Sequence, residues 1–191
     1  MVGIDRVKPE NKELPRPGSV MYDFHFQDEN LKKRKLKRWQ RLNKYLMIPL
    51  YRIGVLPLLG IGRAILLLTT LGWKNGQKRR TPLEYRRFEG VITIFSAMGE
   101  SSAWVKNLHV NPDKVSVRHG FHSYKPFIEF INEESQKAFL IKSYVAKYPK
   151  SAKMLFGWNP NEDDPELTDF TKLLSLISII KLYKKKDKRF F

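Results

Sequence analysis

Leu31, Leu36, Trp39, Leu42, Leu46 and Leu50 recur at roughly helical spacing and predict an amphipathic helix. The apolar stretch over residues 45–70 is broken by Pro49, Arg52, Gly54, Pro57, Gly60 and Arg63. No run in it approaches the roughly 20 apolar residues that span a bilayer, so it reads as buried or interfacial pieces. From residue 65 the period changes. Residues 65–70 are apolar and end in threonines, which reads as a buried strand. Asn75-Gly76 is a strong hairpin signal, because both residues tolerate positive φ. The return strand, over 80–88, contains Pro82, which suggests an edge, a bulge or a ligand-facing position.

Glu89-Gly90 marks a second tight turn, and residues 91–97 a third strand. A loop with Ser101 or Ser102 as helix cap precedes a helix over 103–110, which Asn111-Pro112 ends. Residues 114–118 and 123–131 read as a fourth and fifth strand around a His119-Gly120 turn. A helix over 132–147 stops at Pro149, and a short one follows to residue 156. An acidic loop over 159–164, a helix over 169–174 and a last strand over 177–183 complete the order, followed by a basic tail. Strands joined by tight hairpins pair antiparallel. The expected class is α+β, with an antiparallel barrel or half-barrel. A dinucleotide-binding Rossmann fold does not fit, since Gly-x-Gly-x-x-Gly is absent and strands do not alternate with helices. The expected organisation is a flexible or loosely docked arm over 1–27, a basic and apolar helical segment over 28–60, and a barrel domain over 61–186.

Composition narrows the chemistry. The chain has 191 residues, 42% of them hydrophobic, which suits one globular domain. It has no cysteine, which removes disulfides, thiolate nucleophiles and Cys-ligated metals. His25, His109, His119 and His122 have no metal-ligand spacing, so no metal is expected. The polar, proline-containing N-terminus lacks the apolar core of a signal peptide. A net charge of +17 points to an anionic partner, whether nucleic acid, a membrane or a polyanionic small molecule, or equally to a solvated surface with excess lysine. Seven of the ten residues 32–41 are basic and directly precede the apolar stretch. That is a membrane-surface pattern, and equally the pattern of an ordinary helix with a solvated face.

The hairpin tip concentrates charge: Lys74, Lys78, Arg79 and Arg80 surround Gly76 and Gln77. Glycine lets backbone approach an anion, and the cations supply charge-assisted bonds. The spacing is not that of a P-loop, and an exposed hairpin tip is a second reading.

Residues 67–83, LLTTLGWKNGQKRRTPL, resemble the signature of the deazaflavin-dependent nitroreductase family, in which Gly72, Lys74, Gly76, Gln77, Arg79, Pro82 and Leu83 fit. Residues 104–112, WVKNLHVNP, are similar to that family's W-x-x-N-L-x-x-N-P helix. The resemblance covers about residues 65–149 and weakens toward 183. It implies a split β-barrel that binds coenzyme F-420, a deazaflavin with a phosphate and an oligoglutamate tail, with FMN as the alternative cofactor. By that resemblance Lys74 and Arg79 would hold the phosphate and carboxylates, with Lys78 or Arg80 assisting, and Gly76, Gln77 and Thr81 are further cofactor-binding positions. Pro82 and the segment Phe95, Ser96, Ala97, Met98 would line the ring. Trp104 would pack near the ring or tail, or else anchor its helix in the core.

The implied reaction is hydride transfer from the reduced cofactor to a quinone, enone or nitro compound. Tyr148, before Pro149, matches a Tyr-Pro of the family near its substrate pocket and is the candidate catalytic residue; it also reads as a half-buried helix-end tyrosine. Tyr144, Tyr85 or water are the other proton donors. Met98 stands where relatives can carry Lys, Glu84 where some carry an aromatic, and Ser151 and Met154 where members active on nitroaromatics carry tyrosines, so the departures from the family pattern fall on a cofactor contact and on the substrate pocket. Two competing readings are a carrier without turnover and a nucleic-acid-binding protein. The latter rests on the basic runs at 32–41 and 181–189, which no RNA-binding signature supports. The expected location is cytoplasmic, with residues 31–60 as a peripheral contact on the inner face of the membrane.

Overall fold

The computed structural model describes residues 13–184. The first twelve residues, and with them most of the arm's beginning, lie outside the described residues, as does the basic tail from 185.

Seven strands form one antiparallel sheet: β1 (Ile65–Leu71), β2 (Lys78–Phe88), β3 (Val91–Ser96), β4 (Ser116–His119), β5 (His122–Tyr124), β6 (Phe127–Ile131) and β7 (Ser178–Tyr183), in the order β5-β4-β1-β2-β3-β7-β6. Laid flat, six inter-strand spacings would separate β5 from β6 by about 29 Å. Yet only Lys125 and Pro126 join the two strands, and that link spans at most about 11 Å. The sheet must therefore curl until its edges meet. One core confirms it: Leu66, Leu68, Tyr85, Ile92, Ile94, Val117, Ile180 and Leu182 pack together, with Tyr124 from one edge strand and Ile128 and Phe130 from the other against them. This is a split β-barrel. Helix α5 (Ala103–Val110) plugs it with Val105 and Leu108.

Residues 123–131, expected as one strand, are thus two strands on opposite edges. Pro126 lacks the N–H a ladder needs and turns the chain from one edge to the other.

The outer face carries a second core. Alternate residues of a strand face opposite sides, so Phe88, Ile131 and Ile179 turn outward. They meet α6 (Glu134–Lys147), α7 (Pro149–Phe156) and α8 (Thr171–Leu176) through Leu140, Ile141, Tyr144, Phe156 and Leu173. Pro149 does not merely stop α6. It begins α7, in the first turn, where its missing N–H costs nothing. Leu67 turns outward beneath α3 (Ile48–Arg52) and α4 (Val55–Leu58), against buried Tyr51 and Leu56.

The N-terminal helices are α1 (Val20–His25) and α2 (Glu29–Leu42), the latter continuing through a π-helical turn, Asn43–Met47, into α3. α2 buries no residue. The described part of the expected arm, residues 13–27, is docked. Leu14 and Met21 are fully buried in the outer core, and Arg16 forms a two-pronged pair with Asp163, at 2.8 and 2.6 Å. Two apolar side chains among many polar ones were enough to seat it. Among the described residues, no helix is long and apolar enough to cross a membrane.

Candidate cofactor and substrate site

The β1–β2 hairpin is held by its own backbone and by α5. Gly72 N–H donates to Gln77 O and Gly76 N–H to Gly72 O, both at 2.8 Å. Gly76 adopts φ +64°, and open space lies where a β-carbon would stand. Asn107 of α5 then ties the hairpin down: its Oδ1 accepts from Trp73 N–H at 2.9 Å, and its Nδ2 donates to Thr70 Oγ1 at 2.9 Å. The two sequence blocks, 67–83 and 104–112, therefore meet in space. Lys74 and Lys106 both place their ammonium groups over the Trp73 ring, at 4.8 and 5.6 Å.

Lys74, Lys78, Arg79 and Arg80 are all exposed. Arg79 donates to Gln77 Oε1 at 3.3 Å, and none of the four pairs with a carboxylate of the described residues. Four uncompensated cations beside an accessible glycine backbone suit a ligand with several negative groups.

β2 also leaves an edge open. It pairs with β1 through Lys78–Glu84 and with β3 only through Tyr85–Phe88. The edge of 78–84 turned away from β1 has no strand partner among the described residues, so its polar groups remain available to a ligand. Arg79 and Thr81 lie on the face of β2 that carries Tyr85, whereas Arg80, Pro82, Glu84 and Arg86 lie on the opposite face.

A second cluster occupies that outer face. Phe95 packs on Tyr144 with ring centroids 4.8 Å apart and edge-on to Phe88 at 6.1 Å. Tyr148, between α6 and α7, lies 5.6 Å from Tyr144 and 6.3 Å from Phe88, with the Arg86 guanidinium 4.6 Å over its ring. Arg86 pairs with Glu84, donates to Ser151 Oγ at 2.7 Å, and keeps a buried Nε without a partner among the described residues. Tyr144 donates to Glu84 Oε1 at 3.3 Å. Burial, then the Glu84 charge, push the Tyr144 hydroxyl well above its ordinary range, so it stays protonated. The Tyr148 hydroxyl has no partner among the described residues and is half-buried.

The remaining predicted residues fall between these clusters. Ser96 is buried and engaged: its Oγ donates to Gly99 O at 3.1 Å and lies 2.7 Å from Ser102 Oγ. Ser102 therefore sits at the helix cap position, with its hydroxyl turned to Ser96 and not to the helix. Ala97 O accepts from His25 Nε2–H at 2.8 Å, which docks α1 on the end of β3. Met98 begins the 3₁₀ turn Gly99–Ser101. Trp104 is half-buried against the barrel core. Tyr85 is buried in that core.

Sequence reasoning missed Asn107, Arg86 and His25. Asn107 had a signal: a lone polar residue among the buried positions of α5. Arg86 and His25 had none, because their partners lie 65 and 72 residues away.

Residues 55–154, just over half of the chain, match the F420H2-dependent quinone reductase family. Among solved structures, a chain described as a domain-swapped dimer is 26% identical, covering 63% of this chain and 80% of its own, with a TM-score of 0.42. An F420-H2 dependent reductase is 25% identical, covering 62% and 94%, with a TM-score of 0.41. A conserved hypothetical protein from Mycobacterium tuberculosis is 17% identical, covering 66% and 79%, with a TM-score of 0.45. No curated protein matches significantly.

Proposed function

The chain belongs to the F420H2-dependent quinone reductase family and is an F-420-dependent oxidoreductase; from that premise we propose that its acceptor is a quinone or a similarly electron-poor small molecule. When bound, reduced F-420 supplies two electrons as a hydride. The protein's share is to bind, orient and protonate. The observation that carries the reading is the union of the two motif blocks by Asn107, which fixes four unpaired cations on one hairpin. Lys74, Lys78, Arg79 and Arg80 hold the cofactor's phosphate and carboxylates, with Gly76 and Gln77 offering backbone and amide. Pro82, Phe95, Ala97 and Met98 border the ring.

The outer-face cluster serves the acceptor. Hydride addition to a quinone leaves an oxygen anion that needs a proton. Of the three candidate tyrosines, Tyr85 is buried in the barrel core and Tyr144 is held by Glu84. Tyr148 is the one whose hydroxyl is unengaged, and the guanidinium over its ring favours negative charge nearby. Arg86, kept in place by Glu84 and Ser151, positions that ring.

The test is a fluorescence titration of the full chain with F-420, with FMN as comparison, followed by turnover of reduced F-420 with menadione. Tight F-420 binding and menadione reduction are expected. Lys74→Ala and Arg79→Ala should each weaken F-420 binding by about 1.5–3 kcal/mol, the scale of a hydrogen bond to a charged group. Unchanged affinity in both variants would place the anion site elsewhere, and FMN binding without F-420 binding would overturn the cofactor assignment.

A further inference from the structure

Between Glu29 and Glu84 the chain carries no aspartate or glutamate and fourteen lysines and arginines. Four of these belong to the hairpin already described. The other ten lie on α2, α3 and the turns around them. Two of those are committed, Lys32 to Glu29 at 3.3 Å and Lys35 to Asp23 at 2.5 Å. The eight from Lys33 to Arg63 that remain are all exposed and have no carboxylate partner among the described residues.

The same segment exposes large apolar side chains. Tyr45 is 70% exposed, Ile53 71%, Leu58 76% and Leu59 70%, and Trp39 and Leu46 are also exposed. Gly54 and Gly60, at φ +88° and +79°, turn the chain on either side of α4 and bring Leu58 and Leu59 to the surface. Phe121, from the β4–β5 turn some 60 residues away, is 59% exposed and joins them. Its ring lies so close to Gly54 that a β-carbon there would come within 3.1 Å. Scattered apolar residues are ordinary on a surface, but a concentration of this size marks an interaction face.

We propose that residues 33–63, with Phe121, form a face that lies on an anionic lipid bilayer. Leu58, Leu59, Ile53 and Phe121 enter the acyl boundary while the lysines and arginines meet phosphate headgroups. Charge complementarity selects this occupant. A second copy would bring eight uncompensated cations against eight more. A nucleic acid would use the cations but leave the aliphatic side chains in water. No described helix is long enough to span, so the contact is peripheral. The face is independent of the acceptor reading.

Sedimentation of the full chain with vesicles tests this. Vesicles of phosphatidylglycerol and phosphatidylcholine should bind the protein at least about tenfold more tightly than phosphatidylcholine alone, and binding should weaken as salt rises. The double variant Leu58→Asp/Leu59→Asp should lose most vesicle binding, and so should Lys37→Glu/Arg38→Glu. Both should keep F-420 affinity and menadione turnover, which separates failure of this proposal from failure of the cofactor reading. Absence of binding to anionic vesicles would overturn the proposal, as would undiminished binding by the Leu58/Leu59 variant. So would duplex DNA binding tighter than vesicle binding, or a dimer in light scattering that the Leu58/Leu59 variant abolishes.

Discussion

Asn107 accepts from Trp73 and donates to Thr70, both at 2.9 Å, although it is a buried amide in the middle of a helix. A mid-helix asparagine is locally unfavourable, so its place here rests on those long-range bonds. Asn107→Ala leaves Trp73 N–H without its acceptor and should cost about 1–3 kcal/mol in urea denaturation. It should also weaken F-420 binding, measured by the same fluorescence titration, because the hairpin loses its anchor. His119 offers a pH test. Burial, followed by the charges of Arg87 and Lys184 and then His122, holds its ring below the ordinary value, and its buried Nε2 has no partner among the described residues. The fold therefore keeps it neutral, while the unfolded chain takes up a proton near pH 6.5. Stability should fall as pH drops through about 6.5, and the loss should be complete below the folded value. Melting temperatures between pH 5 and 7 should show a shallower slope in His119→Gln.

Elements were legible wherever a turn residue bounded a periodic run. The helix over 103–110 and the strand over 91–97 stand within a residue of where their patterns put them, and the hairpin around Asn75-Gly76 forms with its return strand beginning two residues early, at Lys78. The exceptions have a shared cause. Residues 123–131 look continuous, yet β5 and β6 belong to opposite edges, because barrel closure sets the partners of each. The segment before α1 looks like a free arm, yet Arg16 N–H donates to Phe156 O at 3.0 Å and its guanidinium grips Asp163, whose side chain is 6% exposed. Asp163→Ala would leave that guanidinium largely buried without its carboxylate and should cost about 3–5 kcal/mol. Urea denaturation with tryptophan emission as the probe measures it, since Trp158 lies in the same core. A loss below about 1 kcal/mol would mean that the docked segment contributes little.

At the scale of the whole molecule, charge is segregated rather than spread. Fourteen cations and no carboxylate between Glu29 and Glu84 account for most of the net +17. The hairpin's share should be felt as an electrostatic attraction for F-420. Its affinity should fall as salt rises from 0.05 to 0.5 M, where screening shortens to a few ångströms, while the KM for uncharged menadione should hardly change. Affinity independent of salt would remove the hairpin cations from cofactor binding. By itself the sequence determined what depends on neighbours along the chain: strand and helix periods, glycine turns, the absence of thiol chemistry, and two motif blocks whose resemblance named a cofactor. It could not decide which strands share an edge, that Asn107 joins the two blocks, that Arg86 lies over Tyr148, or that Phe121 meets Gly54. Those contacts link residues from 34 to more than 60 positions apart. They exist only because the sheet curls on itself, and curling is driven by burying one core shared by all seven strands.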